Sequence, residues 1–174
     1  MNYDISHSTF YGCKITSLAR YKPPLSKLLI QYKENYDVEL KSVFLSYYKS
    51  YLKIKFSGYS IVLVPSSLKK IKMREFDHLE MIFKELGLPI LKVLSKKDGK
   101  EQKKNSASER KKVYQAINIH GGEVVSNKKI LLVDDVITTG STLKACLQLL
   151  KKYKPKRIEI LTIMNVAPLE QYHK

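Results

Sequence analysis

Short apolar runs alternate along the chain with segments of helical periodicity. The apolar runs are typical of strands buried in a parallel sheet, and they occupy residues 61–64, 88–94, 130–133 and 157–164. Apolar residues at helical spacing predict helices over residues 25–33, 38–51, 76–86 and 143–153. The mixed stretch 9–20 predicts a short edge strand, and the tail 167–174 is expected to be frayed. This alternation predicts an α/β domain with a mainly parallel sheet flanked by helices.

Two carboxylates and a hydroxyl-rich turn follow the run at residues 130–133, in the sequence ILLVDDVITTGST. Asp134 and Asp135 are expected directly after the strand. The turn before the next helix consists of Thr138, Thr139, Gly140, Ser141 and Thr142. A helix N-terminus binds phosphate through its unpaired N–H groups, and glycine allows a close approach. Carboxylates repel phosphate but bind sugar hydroxyls or a metal ion. The order therefore predicts a site for a phosphorylated sugar.

Other classes of protein also carry acids after a buried strand. Acids that end a strand and hydroxyls that cap a helix are common, so any two of these residues alone would be ordinary. A P-loop NTPase needs an upstream G-x-x-x-x-G-K-[ST] loop, but Gly99-Lys100 is followed by Glu101. A phosphoacceptor receiver domain needs more chain after Thr142 than is present. The complete set of residues is therefore better explained by a phosphorylated-sugar site.

The decapeptide V-D-D-V-I-T-T-G-S-T resembles the phosphoribosyl pyrophosphate (PRPP) motif of type I phosphoribosyltransferases. A second resemblance, to the ComF family of competence-associated proteins, rests on Val64-Pro65 and a following basic segment. The stretch Arg74-Glu75-Phe76-Asp77-His78 stands where that family has R-G-F-N-Q, and its Arg and Phe match. The chain thus resembles a ComF-like, type I phosphoribosyltransferase-like protein.

The resemblance implies a ligand and a role for each motif residue. PRPP or a phosphoribosylated ligand would bind with Mg²⁺, which arrives through the ligand without direct protein ligands. Asp134 and Asp135, the candidate catalytic residues, would hold the ribose hydroxyls, while Val136 and residues 138–142 belong to the phosphoribosyl site. The pyrophosphate side would consist of Ser66, Ser67, Arg74, Lys103 and Arg110.

Residues 95–112 interrupt the pattern with a long charged stretch that has no large apolar residue. The stretch resembles the flexible flap that closes over the ligand in phosphoribosyltransferases, and a solvated basic linker is the alternative. A length of 174 residues predicts a single domain. Within it we expect an N-terminal helical or edge region over residues 1–58 and a core over residues 59–168.

Composition restricts the environment and the partners. A hydrophobic fraction of 44% argues against disorder, and no apolar run approaches the roughly 20 residues that span a bilayer. The first ten residues do not resemble a secretory signal, so a cytoplasmic location is expected. Cys13 and Cys146 form no C-x-x-C pair, so both are expected to be reduced. The zinc ribbon that often begins ComF-like proteins is not expected here.

The charge leaves three functions open. With 32 Lys and Arg against 16 Asp and Glu, the net charge is +16, which favours polyanions or reflects a lysine-rich proteome. The first hypothesis is a PRPP-binding competence protein linked to DNA uptake. The second is a purine or pyrimidine salvage transferase, and the third is a non-enzymatic single-stranded DNA-binding protein, in which tyrosines stack on bases. No residue pair identifies an acceptor.

Overall fold

A five-stranded sheet is the centre of the computed structural model, which describes residues 5–34, 38–66, 77–96 and 117–172. The strands of this sheet are β1 (Ser6–Phe10), β2 (Cys13–Arg20), β3 (Tyr59–Leu63), β6 (Lys129–Ile137) and β7 (Arg157–Asn165). A separate antiparallel pair contains β4 (Leu94–Lys96) and β5 (Ile117–Ile119). The order in the main sheet is β1-β2-β7-β6-β3, and every pair except β1 and β2 is parallel. The predicted mainly parallel sheet is confirmed.

In the described residues, four α-helices and several 3-10 turns surround the sheet. The helices are α1 (Leu25–Glu34), α2 (Lys49–Lys55), α3 (His78–Phe83) and α4 (Ser141–Lys151). The 3-10 turns are Val38–Phe44, Lys84–Leu86, Gly122–Val125 and Leu169–Tyr172. In the parts of the chain that the structure describes, no helix is both long and apolar enough to cross a bilayer.

The central strands β6 and β7 are buried on both faces. Ile130, Leu131, Leu132 and Val133 are each 0% exposed, as the uninterrupted apolar run predicts. Burial of each such side chain contributes roughly 1.5–3 kcal/mol relative to exposure. The end of β6 is therefore a rigid platform for the polar residues that follow.

The N-terminal part of the chain contributes more to the sheet than the prediction of one short edge strand allowed. Residues 6–20 form the hairpin β1–β2, whose turn residues Tyr11 and Gly12 have φ values of 46° and 78°. The prediction is wrong because β2 lies inside the sheet, between β1 and β7. Thr16 and Ser17 are buried in β2 and interrupt its apolar pattern, so its interior position is not visible in the sequence.

Other boundaries also differ from the predictions. Of the third strand predicted over 88–94, only Leu94 belongs to a strand, β4. Ile90 forms an isolated parallel bridge to Ile61. The predicted helix over 38–51 is a 3-10 turn followed by α2. Ser95 and Lys96, at the start of the predicted flap, pair with β5, and residues 97–112 of that flap lie outside the described residues.

The C-terminal residues 167–172 are packed, so the prediction of a frayed tail is wrong for them. Leu169 is 1% exposed and Tyr172 is 8% exposed. The Tyr172 hydroxyl donates to the Ile137 carbonyl at 3.1 Å and accepts from the Ala167 N–H at 3.0 Å. This hydroxyl joins the last turn to the end of β6.

We expect Tyr172→Phe to lower the free energy of unfolding by about 1 kcal/mol, because the substitution removes both hydrogen bonds and leaves the ring in place. Urea denaturation followed by circular dichroism measures the change. Tyr51→Phe is the matched control, since Tyr51 is 44% exposed and its substitution should change stability by less than about 0.5 kcal/mol. Equal effects of the two substitutions would show that the Tyr172 hydroxyl does not anchor the tail.

Candidate functional site

The two motif carboxylates lie within β6 rather than after it. The strand continues to Ile137 because β7 extends equally far, with Asp134 opposite Thr162 and Ile137 opposite Asn165. The prediction that the strand ends at Val133 is therefore wrong by four residues. Because successive strand residues point to opposite faces, the two adjacent carboxylates lie on different sides of the sheet.

Asp135 is buried and contacts two basic residues, Lys33 and His78, from other elements. Its Oδ2 lies 2.5 Å from Lys33 Nζ at the end of α1 and 2.5 Å from His78 Nε2 at the start of α3. Burial alone would raise the pKa of this carboxyl. The hydrogen bonds and charges of His78 and Lys33 outweigh that effect and hold the pKa well below its usual value. The contact joins β6, α1 and α3 at one point.

Asp134 lies in a different environment, on the side of the sheet that α4 covers. Its Oδ1 accepts the backbone N–H of Asp135 at 2.9 Å. Burial, together with the charge of Asp135, raises its pKa well above the usual value. The pKa of Cys146, a buried thiol of α4, is also raised by burial and by the charge of Asp134. Asp134 is therefore near the helix that follows the hydroxyl-rich turn.

The turn at residues 138–140 connects β6 to α4 and requires glycine for two reasons. Gly140 has a φ of 71°, in the left-handed region, and a Cβ there would lie 2.8 Å from the ring of Phe10. Thr139 Oγ1 accepts the N–H of Ser141 at 3.4 Å and donates to Ser141 Oγ at 3.1 Å. Thr138 and Thr139 are exposed, and Ser141 and Thr142 are half-buried. Hydroxyl groups are thus exposed beside the N-terminus of an 11-residue helix.

The predicted pyrophosphate residue Ser66 lies at the same edge of the sheet as the PRPP motif. Strand β3 pairs with β6 in parallel, with Leu63 opposite Val133, and the Val64 N–H donates to the Val133 carbonyl at 3.0 Å. Ser66 follows two residues later and is half-buried. The other four residues predicted for the pyrophosphate side lie outside the described residues: Ser67, Arg74, Lys103 and Arg110.

The two residues that contact Asp135, Lys33 and His78, were not predicted from the sequence. Lys33 falls at the end of an amphipathic helix, and no local pattern separates it from the many other lysines. His78 carries a weak signal, since it stands where ComF-like proteins have the glutamine of R-G-F-N-Q. In the described ranges, no group of three or more His, Cys, Asp or Glu side chains could hold a metal ion.

Residues 77–172 match the model of the phosphoribosyl transferase domain. The chain belongs to this family. It is 28% identical over 154 residues to competence protein ComFC of Streptococcus pneumoniae, and the match covers 88% of this chain and 69% of that protein. Together with the motif, this similarity identifies a ComF-family, type I phosphoribosyltransferase-like protein.

Other relatives match over shorter stretches. Transcriptional regulator GfcR of Methanocaldococcus jannaschii is 36% identical over 81 residues, which cover 43% of this chain and 38% of that protein. The structure of the allosteric regulatory enzyme of purine biosynthesis matches at a TM-score of 0.50 and 16% identity, covering 71% of this chain and 26% of that chain. The structure of a hypoxanthine phosphoribosyltransferase from Staphylococcus aureus matches at a TM-score of 0.46 and 21% identity. This match covers 74% of this chain and 64% of that chain. This chain spans less than two thirds of these three relatives.

We expect substitutions at the two carboxylates to change stability in opposite ways. Asp135→Asn should lower the free energy of unfolding at pH 7 by about 3 kcal/mol, because it leaves the half-buried ammonium of Lys33 and the buried ring of His78 without their carboxylate. The pKa of Asp135 is lower in the folded protein than in the unfolded chain. Its contribution is therefore complete at neutral pH and is lost as the pH falls below about 4.

Asp134→Asn is the matched control, since it keeps the side-chain shape and the acceptor for the Asp135 N–H. The raised pKa means that the charged form of Asp134 opposes folding at pH 7. Removal of the charge should leave stability unchanged or raise it by up to about 1 kcal/mol. Chemical denaturation at pH 7 and pH 3 measures both variants, and the cost of Asp135→Asn should be smaller at pH 3. Equal losses at the two positions would contradict the assignment.

Proposed function

We propose that this protein is a PRPP-binding, phosphoribosyltransferase-like competence protein whose ligand binds at the edge of the sheet where β3 and β6 end. The observation that carries the proposal is the arrangement of Asp134 and the turn at residues 138–142. Asp134 lies near the end of β6, and the turn that directly follows this strand presents a set of hydroxyls at the N-terminus of α4. That pairing suits a ribose and its 5′-phosphate, because the first needs acceptors and the second needs donors.

The two carboxylates have different roles in this proposal. Asp134 is the principal acceptor for the ribose hydroxyls, since in the described structure its side chain accepts a hydrogen bond only from a neighbouring backbone N–H. Asp135 already binds Lys33 and His78 through Oδ2. It acts on the ligand chiefly by fixing the end of β6. Both of its contacts with the described residues Lys33 and His78 use Oδ2, so a ribose contact would use its Oδ1.

The remaining motif residues bind phosphate groups. Val136 and residues 138–142 form the 5′-phosphate side, where backbone N–H groups at the start of α4 add to the hydroxyls. Ser66 donates to the pyrophosphate, and Ser67, Arg74, Lys103 and Arg110 complete that side. The support for these last four residues is the family resemblance alone.

Mg²⁺ reaches the site with the pyrophosphate. This ion prefers six oxygen ligands and keeps several waters. Because Asp135 is paired with Lys33 and His78 in the described structure, Asp134 would be the motif carboxylate nearer to hand for a cation. Phosphate oxygens and waters would supply most of the ligands of the ion, and its chemical contribution would be to neutralise charge on the pyrophosphate.

Transfer, if it occurs, breaks the bond between the anomeric carbon and pyrophosphate while a nucleophile bonds to that carbon. The protein then contributes position and charge stabilisation. The proposal does not specify which molecule accepts the phosphoribosyl group. A purine or pyrimidine base as the acceptor would make the protein a salvage transferase. The link to DNA uptake rests on the similarity to ComFC, and a cytoplasmic location is part of the same proposal.

A second candidate function, binding of single-stranded DNA, is favoured by an exposed aromatic surface on and before α2. Tyr47 is 73% exposed and Tyr51 is 44% exposed. The ammonium of Lys55 lies 5.4 Å from the centre of the Tyr51 ring. Aromatic rings with adjacent cations can stack on bases and contact the phosphate backbone.

We expect saturable binding of PRPP with Mg²⁺ in a calorimetric titration of the wild-type protein. Asp134→Asn should weaken it at least tenfold, about 1.4 kcal/mol, because an amide cannot replace a carboxylate as acceptor for two hydroxyls. Glu123→Gln, an exposed acid far from the motif in the fold, is the control for charge and should leave affinity unchanged. The Asp134→Ala/Asp135→Ala double variant should abolish binding. Absence of binding at millimolar PRPP would exclude the proposed ligand.

For the second candidate, we expect a fluorescent oligothymidylate to bind with an affinity that falls steeply as salt is raised, because counterions are released from the phosphates. Tyr47→Ala/Tyr51→Ala should weaken binding about tenfold through the loss of stacking. Tyr21→Ala is the control, since Tyr21 is also exposed, at 37%, but lies outside this surface. Equal weakening by both variants would argue against a stacking role for α2.

A further inference from the structure

The opposite edge of the sheet, where β2 and β7 begin, contains an open cleft of about 380 Å³. Four cationic side chains line it: Lys14, Lys151, Lys154 and Arg157. The buried residues Cys13 and Ile158 contribute an apolar floor. Because parallel strands begin at the edge opposite to the one where they end, this cleft is separate from the PRPP motif.

The cleft is formed where three segments meet. The left-handed turn at Tyr11 and Gly12 brings the start of β2 beside the end of α4. Lys151, the last residue of α4, donates from Nζ to the Tyr11 carbonyl at 2.9 Å. Lys154, with a φ of 49°, and Pro155 then redirect the chain into β7. The cationic side chains therefore come from two strands, a helix and a loop that are held together, rather than from one flexible segment.

The charges in the cleft are only partly balanced. Arg157 Nε contacts Glu159 Oε1 at 2.9 Å, and the Tyr59 hydroxyl donates to the same carboxylate oxygen at 2.8 Å. Among the residues that the structure describes, no ion pair is formed by Lys14 or Lys154. Among the described residues, four cationic side chains therefore lie near one carboxylate, Glu159, which leaves an excess of positive charge in the cleft.

The helix dipole explains only part of this arrangement. A lysine at the C-terminus of α4 is favoured by the partial negative charge there, but Lys14 and Arg157 belong to strands. The carbonyls that end the helix are also paired, since Leu149, Leu150 and Lys151 accept the N–H groups of the next turn. An anion in the cleft would therefore not meet a row of unpaired carbonyls.

We propose that this cleft is a second anion site, which binds the phosphate group of a small phosphorylated metabolite of about the size of a nucleoside monophosphate. The volume lies at the lower end of the range for small-molecule sites. Cationic walls suit the phosphate, and the apolar floor suits a ring attached to it. The proposal does not depend on the proposed function, because none of the PRPP-motif residues lines the cleft.

The test is a titration of ¹⁵N-labelled protein with inorganic phosphate and with adenosine 5′-monophosphate, followed by two-dimensional NMR. We expect saturable shifts of the amide signals of residues 12–14 and 157–158, whatever happens at residues 138–142. The nucleotide should bind more tightly than phosphate, and adenosine should not bind. The amide signals report on the cleft and on the PRPP motif separately. Absence of binding at one site can therefore be distinguished from absence of binding at the other.

Lys14→Gln/Lys154→Gln should weaken nucleotide binding at the cleft at least tenfold, and Lys14→Gln alone should weaken it about threefold. Lys152→Gln/Lys156→Gln is the matched control, because it removes two exposed charges from the same segment without touching the cleft. That variant should change affinity by less than about twofold. All four lysines are exposed, so the variants should fold, which the melting temperature checks.

Three results would overturn the proposal. One is the absence of saturable shifts at residues 12–14 and 157–158 up to about 10 mM ligand. Another is equal weakening by the test and control variants, which would show a response to net charge alone. The third is a shift of these amides by a hexathymidylate but not by the mononucleotide, which would assign the cleft to nucleic acid.

Discussion

The contact of Asp135 with Lys33 and His78 is the interaction on which the rest of the site depends. A buried carboxylate is tolerated only when its charge is compensated, and here the compensation comes from two different helices. The Tyr32 hydroxyl strengthens the same junction by donating to the His78 carbonyl at 3.2 Å. The position of β6 is thereby fixed relative to α1 and α3, and the turn that follows β6 inherits that position.

Because side chains alternate along β6, the neighbouring residues Asp134 and Asp135 lie on opposite faces of the sheet and have different environments. One points to the face where α1 and α3 lie and is used to hold the structure together. The other points to the face of α4, where burial and the charge of Asp135 make the environment unfavourable for its ionised form. Carboxyl groups with a raised pKa are common at ligand sites, because a hydrogen-bond donor on the ligand can stabilise the ionised form.

The sequence was sufficient for the features that depend on local chemistry. An apolar run and a Thr-Gly-Ser turn before an amphipathic helix were enough to predict the existence of β6, the turn and α4 without reference to distant residues, whereas the ligand site remains a prediction. The partners of Asp135 could not be predicted, because Lys33 and His78 meet it only through the packing of separate helices. The interior position of β2 was hidden by Thr16 and Ser17, and the packed tail by its short and polar sequence. In each case tertiary contacts, rather than periodicity, decide the outcome.

The contact between Gly140 and Phe10 links the turn at residues 138–140 to a strand far away in sequence. The ring of Phe10 occupies the space that any side chain at position 140 would need. Phe10 belongs to β1, and β1 and β2 lie outside the stretch that matches the family domain model. A truncated protein restricted to residues 77–172 would therefore lack the Phe10 ring that packs against Gly140 in the turn at residues 138–140. The smallest fragment that retains the whole turn must include the N-terminal hairpin.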